Sequence, residues 1–154
     1  MPEVDRLRAP TVDARLAWST LGAVATVMVA NVLLSDGVQG GGDSTQHYLI
    51  ARYAPLHPEM FLDQWGEPLY TLLMAPVAQL GFVAAALANV GLLLLTCWCA
   101  WRLALALALP DAWLAPLLVG FAPVVLLSSH SGLTEPLAAA WLAAGLLLIV
   151  RDRV

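Results

Sequence analysis

The run LAWSTLGAVATVMVANVLL, residues 16–34, contains nineteen residues and no charged side chain. At about 1.5 Å per residue, a helix of this length crosses most of the ~30 Å hydrocarbon core of a bilayer. The whole chain is 60% hydrophobic and 12% charged, whereas a typical globular domain has about 25% charged residues. These features predict an all-α integral membrane protein.

Three further apolar runs are predicted to cross the membrane. They are residues 82–101, residues 112–127 and residues 136–150, the last as a tilted or locally thinned crossing. Residues 69–80 are too short to cross, and together with residues 44–54 they are predicted as two short interfacial helices in an outer loop, residues 35–81. The fold class is therefore about four transmembrane helices plus two surface helices. A signal peptide is the alternative for residues 16–34, but its apolar core would be only about 7–15 residues long.

The arginines predict the orientation of these spans. Of the seven, all except Arg52 fall on one side of a four-span arrangement, which the positive-inside rule assigns to the cytoplasm. Residues 1–15 and 151–154 are then cytoplasmic, and the turn of residues 128–135 faces outward with the first loop. The expected location is the inner (plasma) membrane of a bacterium. An aromatic belt near the inner boundary agrees with this orientation: Trp18, Trp98, Trp101 and Trp113.

Composition also excludes some functions. The net charge is −4 and the chain contains no lysine, so it lacks the basic surface that nucleic-acid binding requires. Cys97 and Cys99 lie two residues apart and point about 200° from each other on a helix, so they cannot form a zinc site by themselves. They are interpreted as small side chains in a membrane helix, and Asn31 and Asn89 as interhelical hydrogen-bonding groups.

Polar chemistry is concentrated in the first outer loop, which holds five of the eleven acids and two of the three histidines between residues 35 and 68. It begins with the run GGGDSTQHY, residues 40–48, which lacks the Gly-Lys-Ser/Thr of a phosphate-binding loop. Asp43 has two interpretations. It is either the N-cap of a helix that starts at Ser44, with Gln46 completing a capping box, or a carboxylate that serves a ligand.

Helix geometry groups these residues into two faces. On a helix from Ser44, His47 lies about 40° from Asp43, so the two can share a site, whereas Arg52 lies about 180° away. Tyr48 and Arg52 form an i, i+4 pair on another face. Arg52 joins the pocket only if the segment bends or the ligand is large; the alternative is a pairing with Glu59, Asp63 or lipid phosphate.

Two further positions are candidates for substrate binding. Trp65 lies among acids and aromatics in residues 61–68, and it is either a platform for a sugar or an interfacial anchor. Thr134 is predicted to cap a helix whose first turn contains Glu135 and Pro136. Glu135 falls at the same membrane face as Asp43. A carboxylate near hydrocarbon is energetically costly, which suggests that Glu135 has an interaction partner or a functional role. No cofactor is predicted. A divalent ion held by Asp43, His47 and Glu135 is the alternative, but it is not favoured because no pair of them has a recognisable metal-ligand spacing.

The order of these features resembles the amino-terminal part of the polytopic GT-C glycosyltransferases, which include the protein mannosyltransferases. The resemblance is carried by a first span, an acid soon after it in GDSTQHY, two surface helices, and the turn SGLTEPL of residues 131–137. It implies a sugar donor carried on polyprenyl phosphate in the lipid and a polar acceptor outside. It also implies that Asp43 acts as the general base or orients the acceptor.

Family members are much longer, so the chain is expected to be an amino-terminal fragment that is inactive alone. It has a single outer arginine and no lysine for the donor phosphate. The alternative function is a non-enzymatic four-span partner or assembly subunit. A transporter is disfavoured, because residues 16–34 and 82–101 contain no ionisable group that could form an ion path.

Overall fold

The structure is a computed structural model that describes residues 3–36 and 41–152, with side chains of the first helix described from Asp13 onward. Every regular element within those ranges is a helix, so the predicted all-α class is confirmed. The helices are α1 (Glu3–Leu34), α2 (Gly41–Tyr53), α3 (Pro68–Ala78), α4 (Phe82–Ala106), α5 (Ala115–Gly120), α6 (Pro123–Ser128) and α7 (Glu135–Arg151), with 3₁₀ turns at Pro58–Leu62 and Ala112–Leu114.

Two helices are long and apolar enough to cross a membrane, namely Asp13–Leu34 within α1 and the whole of α4. They correspond to the first two predicted spans. Helix α4 continues past Trp101, where the predicted span ended, so Arg102 lies within the helix. The guanidinium carbon of Arg102 is 5.8 Å from the centre of the Trp98 ring. Length and composition support a membrane crossing for these two helices.

Helices α1 and α4 run antiparallel. Trp18, early in α1, contacts Trp101, late in α4, with ring centres 5.6 Å apart and nearly perpendicular planes. Val32 and Ala86, at the opposite ends of their helices, belong to the same buried apolar cluster. The four tryptophans predicted to form a belt include these two, and Trp98 and Trp113 pack against the same cluster. The end of α1 and the start of α4 therefore lie at one end of the bundle, opposite the tryptophans.

The third predicted span, residues 112–127, is not one continuous helix. It consists of a 3₁₀ turn, α5 and α6, with a break at Ala122. Ala122 adopts an extended conformation (ψ 132°) because the ring of Pro123 excludes α-helical geometry in the residue before it. Helix α7 starts one residue before the predicted fourth span and ends at Arg151. Membrane crossings by these two segments remain predictions.

The two short helices predicted in the first loop are present as α2 and α3. Helix α2 begins at Gly41 rather than at Ser44, so Asp43 lies within its first turn. The prediction that Asp43 caps a helix from Ser44 is therefore wrong. The two helices pack together and against α7 through a second buried cluster: Ala51, Tyr70, Met74, Ala78 and Leu137. Gly40 of the glycine run and residues 1–2 and 153–154 of the predicted cytoplasmic ends lie outside the described residues.

The turn that follows α6 is hydrogen-bonded to the end of α1 and to the first half of α4. The Asn31 amide of α1 donates to the Ser129 hydroxyl (3.2 Å) and the Leu126 carbonyl (3.3 Å). In α4, the Asn89 amide donates to the Ser131 carbonyl at 2.9 Å. The prediction that Asn31 and Asn89 form interhelical hydrogen bonds is confirmed, because Asn31 bonds to α6 and the Asn89 amide also donates to the Tyr70 hydroxyl of α3 at 3.4 Å. Cys97 and Cys99 are both buried and free, as their interpretation requires.

Candidate functional site

A cavity of about 400 Å³ lies where the first loop meets the turn before α7. Three segments line it, and none of them is adjacent to another in sequence. The lining residues are Asp43 and His47 from α2, Gln64, Trp65 and Glu67 from the segment before α3, and Leu133, Thr134 and Glu135 from the turn. Of the six site residues predicted from the sequence, this cavity brings together four: Asp43, His47, Trp65 and Glu135.

Helix α2 supplies one wall. Asp43 and His47 are one helical turn apart, so their side chains project from the same face. Asp43 is exposed, whereas His47 is only 8% exposed and stands edge-on to the Tyr70 ring, with ring centres 6.1 Å apart. The Nδ1 nitrogen of His47 is buried and has no hydrogen-bond partner among the described residues. Such atoms are uncommon in proteins, because an unpartnered buried polar group is costly.

The segment before α3 is folded tightly enough to present Trp65 and Glu67 to the cavity. A carboxylate oxygen of Asp63 accepts hydrogen bonds from the backbone N–H of Trp65 (2.8 Å) and of Gly66 (3.3 Å). Gly66 is buried, and a Cβ there would lie 2.6 Å from the Cγ2 atom of Ile50. Trp65 remains 61% exposed, so its ring is available to a ligand.

Glu67 has an unusual backbone conformation. Its φ of 52° is rare for a residue with a side chain and rarer still before a proline, here Pro68. The carbonyl of Gly66, the preceding residue, accepts a hydrogen bond from the Thr71 hydroxyl at 2.8 Å, which anchors the chain on both sides of this position. In this conformation Glu67 lines the cavity.

The third wall is held by four residues that we call the turn clasp: Ser44, Tyr70, Asn89 and Gly132. The Gly132 N–H donates to the Ser44 hydroxyl at 2.6 Å, and the Tyr70 hydroxyl donates to the Gly132 carbonyl at 3.0 Å. Asn89 donates to the carbonyls on either side, Ser131 and Leu133, the latter at 3.0 Å. The turn clasp therefore fixes the turn against α2, α3 and α4 at once.

Gly132 is required at this contact. A Cβ there would lie 2.5 Å from the backbone carbonyl oxygen of Ser44, closer than such atoms approach. The absence of a side chain allows the turn to touch the backbone of α2, so that Glu135 and Asp43 line the same cavity.

The cavity is acidic. Three carboxylates line it, from Asp43, Glu67 and Glu135, and no arginine is among its described lining residues. These charges also affect Tyr70. Burial raises the pKa of Tyr70 to about 12, and the negative charges of Glu135 and Glu67 add to that increase. A bound anion would be repelled here, whereas a cation or a hydroxyl donor would be attracted.

The other two predicted site residues, Tyr48 and Arg52, lie outside this cavity. The Arg52 guanidinium donates to the Tyr48 hydroxyl and lies 5.9 Å from the centre of its ring. Tyr48 in turn contacts the ring of Phe82 edge-on, with ring centres 5.4 Å apart. As predicted, Asp43 and His47 lie on one face of α2, and Tyr48 and Arg52 lie on another. Among the described residues, the ion pair found for Glu59 is with His57, at 3.6 Å, rather than with Arg52.

Thr134 has a different role from the predicted one. It precedes α7 as expected, but its hydroxyl makes no capping hydrogen bond; instead the residue lines the cavity. Gln64 and Glu67 were not predicted as site residues, although the Gly-Glu-Pro run was a local signal for a sharp turn. Within the described residues, no group of three His, Cys, Asp or Glu side chains could hold a metal ion, so Asp43, His47 and Glu135 do not form one.

The fold and site define a helical bundle with two helices of membrane-spanning length and an acidic, aromatic-lined cavity at one end. No protein-family model, curated protein or solved structure matches the chain. Its function is therefore inferred from its own residues.

Proposed function

We propose that this chain is the acceptor-binding part of a membrane glycosyltransferase that moves a sugar from a polyprenyl-phosphate carrier to a hydroxyl group. One observation carries the proposal: Asp43, Glu135 and Trp65 meet in one cavity at the end of two helices of spanning length. A lipid-linked donor requires a bilayer at the reaction site, and a polar acceptor requires a water-facing cavity. This arrangement offers both.

Asp43 is the proposed general base. Its carboxylate accepts the proton of the acceptor hydroxyl while that oxygen forms a bond to the anomeric carbon of the sugar. The bond from the anomeric carbon to the phosphate oxygen breaks, and the electron pair leaves with the lipid phosphate. Asp43 is exposed at the cavity wall, so an acceptor hydroxyl can reach it directly.

Other cavity residues bind and orient the acceptor. The exposed ring of Trp65 provides a flat apolar surface of the kind against which a sugar ring stacks. Glu135, which lines the same cavity, accepts hydrogen bonds from sugar hydroxyls. His47 is a buried residue in the cavity wall, so its proposed contribution is to acceptor binding more than to proton transfer.

The leaving phosphate needs a cation, and Arg52 is not placed to supply it. Arg52 is nine positions after Asp43 in α2, about 13 Å further along the axis and on the opposite face. Its guanidinium is bound to Tyr48. The cation is therefore expected from residues other than those lining this cavity.

Variants introduced at the chromosomal locus test the proposal. Membranes are incubated with radiolabelled polyprenyl-phosphate hexoses, and label transferred to water-soluble or lipid acceptors is counted. We expect Asp43→Asn to abolish the part of this transfer that is lost in a gene deletion, with an unchanged amount of protein in the membrane. His47→Ala should reduce transfer less.

Glu59→Gln is the matched control, since Glu59 is an acid of the same loop that does not line the cavity. Transfer that is unaffected by Asp43→Asn, or by deletion of the gene, would refute the proposed activity. The chain would then be better explained as a non-catalytic membrane partner.

A further inference from the structure

The charge of the cavity identifies a narrower class of ligand. Three carboxylates line a space of about 400 Å³ without an arginine among the described lining residues, and the chain contains no lysine. Hydroxyl groups alone do not require three carboxylates. A positively charged group is favoured in such a space, because a cleft lined by charges of one sign attracts a ligand of the opposite sign.

His47 contributes a largely buried part of the cavity wall. His47 lines the cavity, is more than nine-tenths buried, and has a buried Nδ1 nitrogen with no partner among the described residues. Buried polar atoms in proteins almost always have a partner. This nitrogen has no accessible surface, so a ligand in the cavity cannot be its partner, and the ligand class is indicated by the carboxylates and by Trp65 instead.

We infer that the acceptor bound in this cavity is an amino sugar, with a protonated amine near Asp43, Glu67 and Glu135 and its ring against Trp65. A metal ion is a poorer fit, because no described group of three ligands could hold one. The exposed indole offers a flat apolar surface against which a sugar ring can stack, whereas an open-chain alkylamine has no such face. The volume, at the low end of the ~300–1,000 Å³ of small-molecule pockets, fits one or two sugar units.

This inference rests on the proposed function, but its test requires neither a donor nor transfer. The full-length protein is purified in lipid nanodiscs, and tryptophan fluorescence is followed during titration with three probes. Glucosamine carries the ring and the charge, N-acetylglucosamine carries the ring without the charge, and cyclohexylamine carries the charge without the hydroxyls. At about pH 7 most glucosamine is protonated, since its amine titrates near the α-amino value of about 7.7–8.0.

We expect glucosamine to bind at least about tenfold more tightly than either of the other probes, a difference of about 1.4 kcal/mol. Added salt should weaken glucosamine binding, because the attraction is between charges near the surface. Trp65→Phe should remove most of the fluorescence change and thereby locate the probe.

Charge-neutralising variants identify the carboxylates involved. Glu135→Gln and Glu67→Gln should each weaken glucosamine binding several-fold and leave N-acetylglucosamine unchanged. Glu59→Gln, outside the cavity, should change neither. The circular dichroism of each variant controls for loss of fold.

Three results would overturn the inference: no binding of glucosamine, equal binding of both sugars, or equal binding of glucosamine and cyclohexylamine. The last would identify a general cation site. None of these would alter the outcome for Asp43→Asn in the transfer assay, so the two proposals fail separately.

Discussion

Replacing Gly132 with alanine tests whether the turn clasp holds the cavity together. The added Cβ would lie 2.5 Å from the Ser44 carbonyl oxygen and 3.2 Å from the Ser44 hydroxyl. Neither atom can give way easily, since Ser44 is fully buried in α2 and its hydroxyl accepts the hydrogen bond from the Gly132 N–H. The turn and α2 must therefore separate, which strains or breaks that bond.

The free energy of unfolding should fall by about 2 kcal/mol, within a range of about 0.5–4 kcal/mol. Overpacking of a close contact costs about 1–3 kcal/mol, and loss of a hydrogen bond costs about 0.5–1.5 kcal/mol. Alanine lowers the entropy of the unfolded chain and returns about 0.4–1 kcal/mol. Since the turn carries Thr134 and Glu135, the same separation should also weaken glucosamine binding.

The buried thiols provide the assay. Cys97 and Cys99 lie in α4 and are shielded in the folded protein, so a maleimide labels them only after the bundle opens. The degree of labelling in mixed micelles of increasing denaturing detergent gives the unfolding transition. Gly91→Ala is the control, because a Cβ at that helical position meets no atom within 4 Å. A Gly132→Ala variant as stable as Gly91→Ala would refute the proposed role of this contact.

Three further changes test the surroundings of the cavity. Burial raises the pKa of Tyr70 from 10.0 to about 12. The protonated phenol therefore stabilises the folded state by up to about 3 kcal/mol; this contribution is fully present below pH 10 and is lost as the pH rises through 12. Tyr70→Phe should abolish this alkaline loss of stability and should lower the free energy of unfolding by about 1 kcal/mol at neutral pH. Alkaline unfolding curves identical to those of wild type would contradict this prediction. Asn89→Ala should destabilise the protein by about 2–4 kcal/mol, since it leaves the buried carbonyl of Ser131 and the partly buried carbonyl of Leu133 without their donor. Thiol labelling that matches wild type would show those bonds to be dispensable. Arg52→Gln should leave glucosamine binding within about twofold of wild type, measured by fluorescence, and a loss comparable to that of Glu135→Gln would place Arg52 in the site.

Sequence alone predicted the features that depend on local pattern. The length and apolar composition of residues 16–34 and 82–101 identify the two long helices, because span length is set by the thickness of a bilayer. The i, i+4 spacing of Asp43 and His47 placed both on one face of α2, and helical periodicity depends only on spacing. The break before Pro123 was also visible locally, but apolar character alone suggested a single segment.

The parts of the site that depend on distant contacts could not be predicted. The hydrogen bond from Gly132 to Ser44 joins residues 88 positions apart, and no local signal pairs them. The direction of the Glu67 side chain depends on a positive φ, in a segment where Gly66 leaves no room for a Cβ beside Ile50 and where its carbonyl accepts a hydrogen bond from Thr71. Such contacts form only when α2 and α3 are docked, so sequence spacing carries little information about them.

Helix α2 separates opposite charges onto opposite faces, and this separation limits the mechanism. Its cavity face carries Asp43, beside carboxylates from two other segments, while its other face carries Arg52 bound to Tyr48. A phosphate attracted to Arg52 and a cation attracted to the cavity would therefore not meet. If the transferred sugar is attacked within reach of Asp43, its phosphate must leave away from the carboxylates and must find its cation elsewhere. In the proposed function, the acidic cavity would select the acceptor and exclude the donor phosphate, because a field that attracts an amine repels a phosphate.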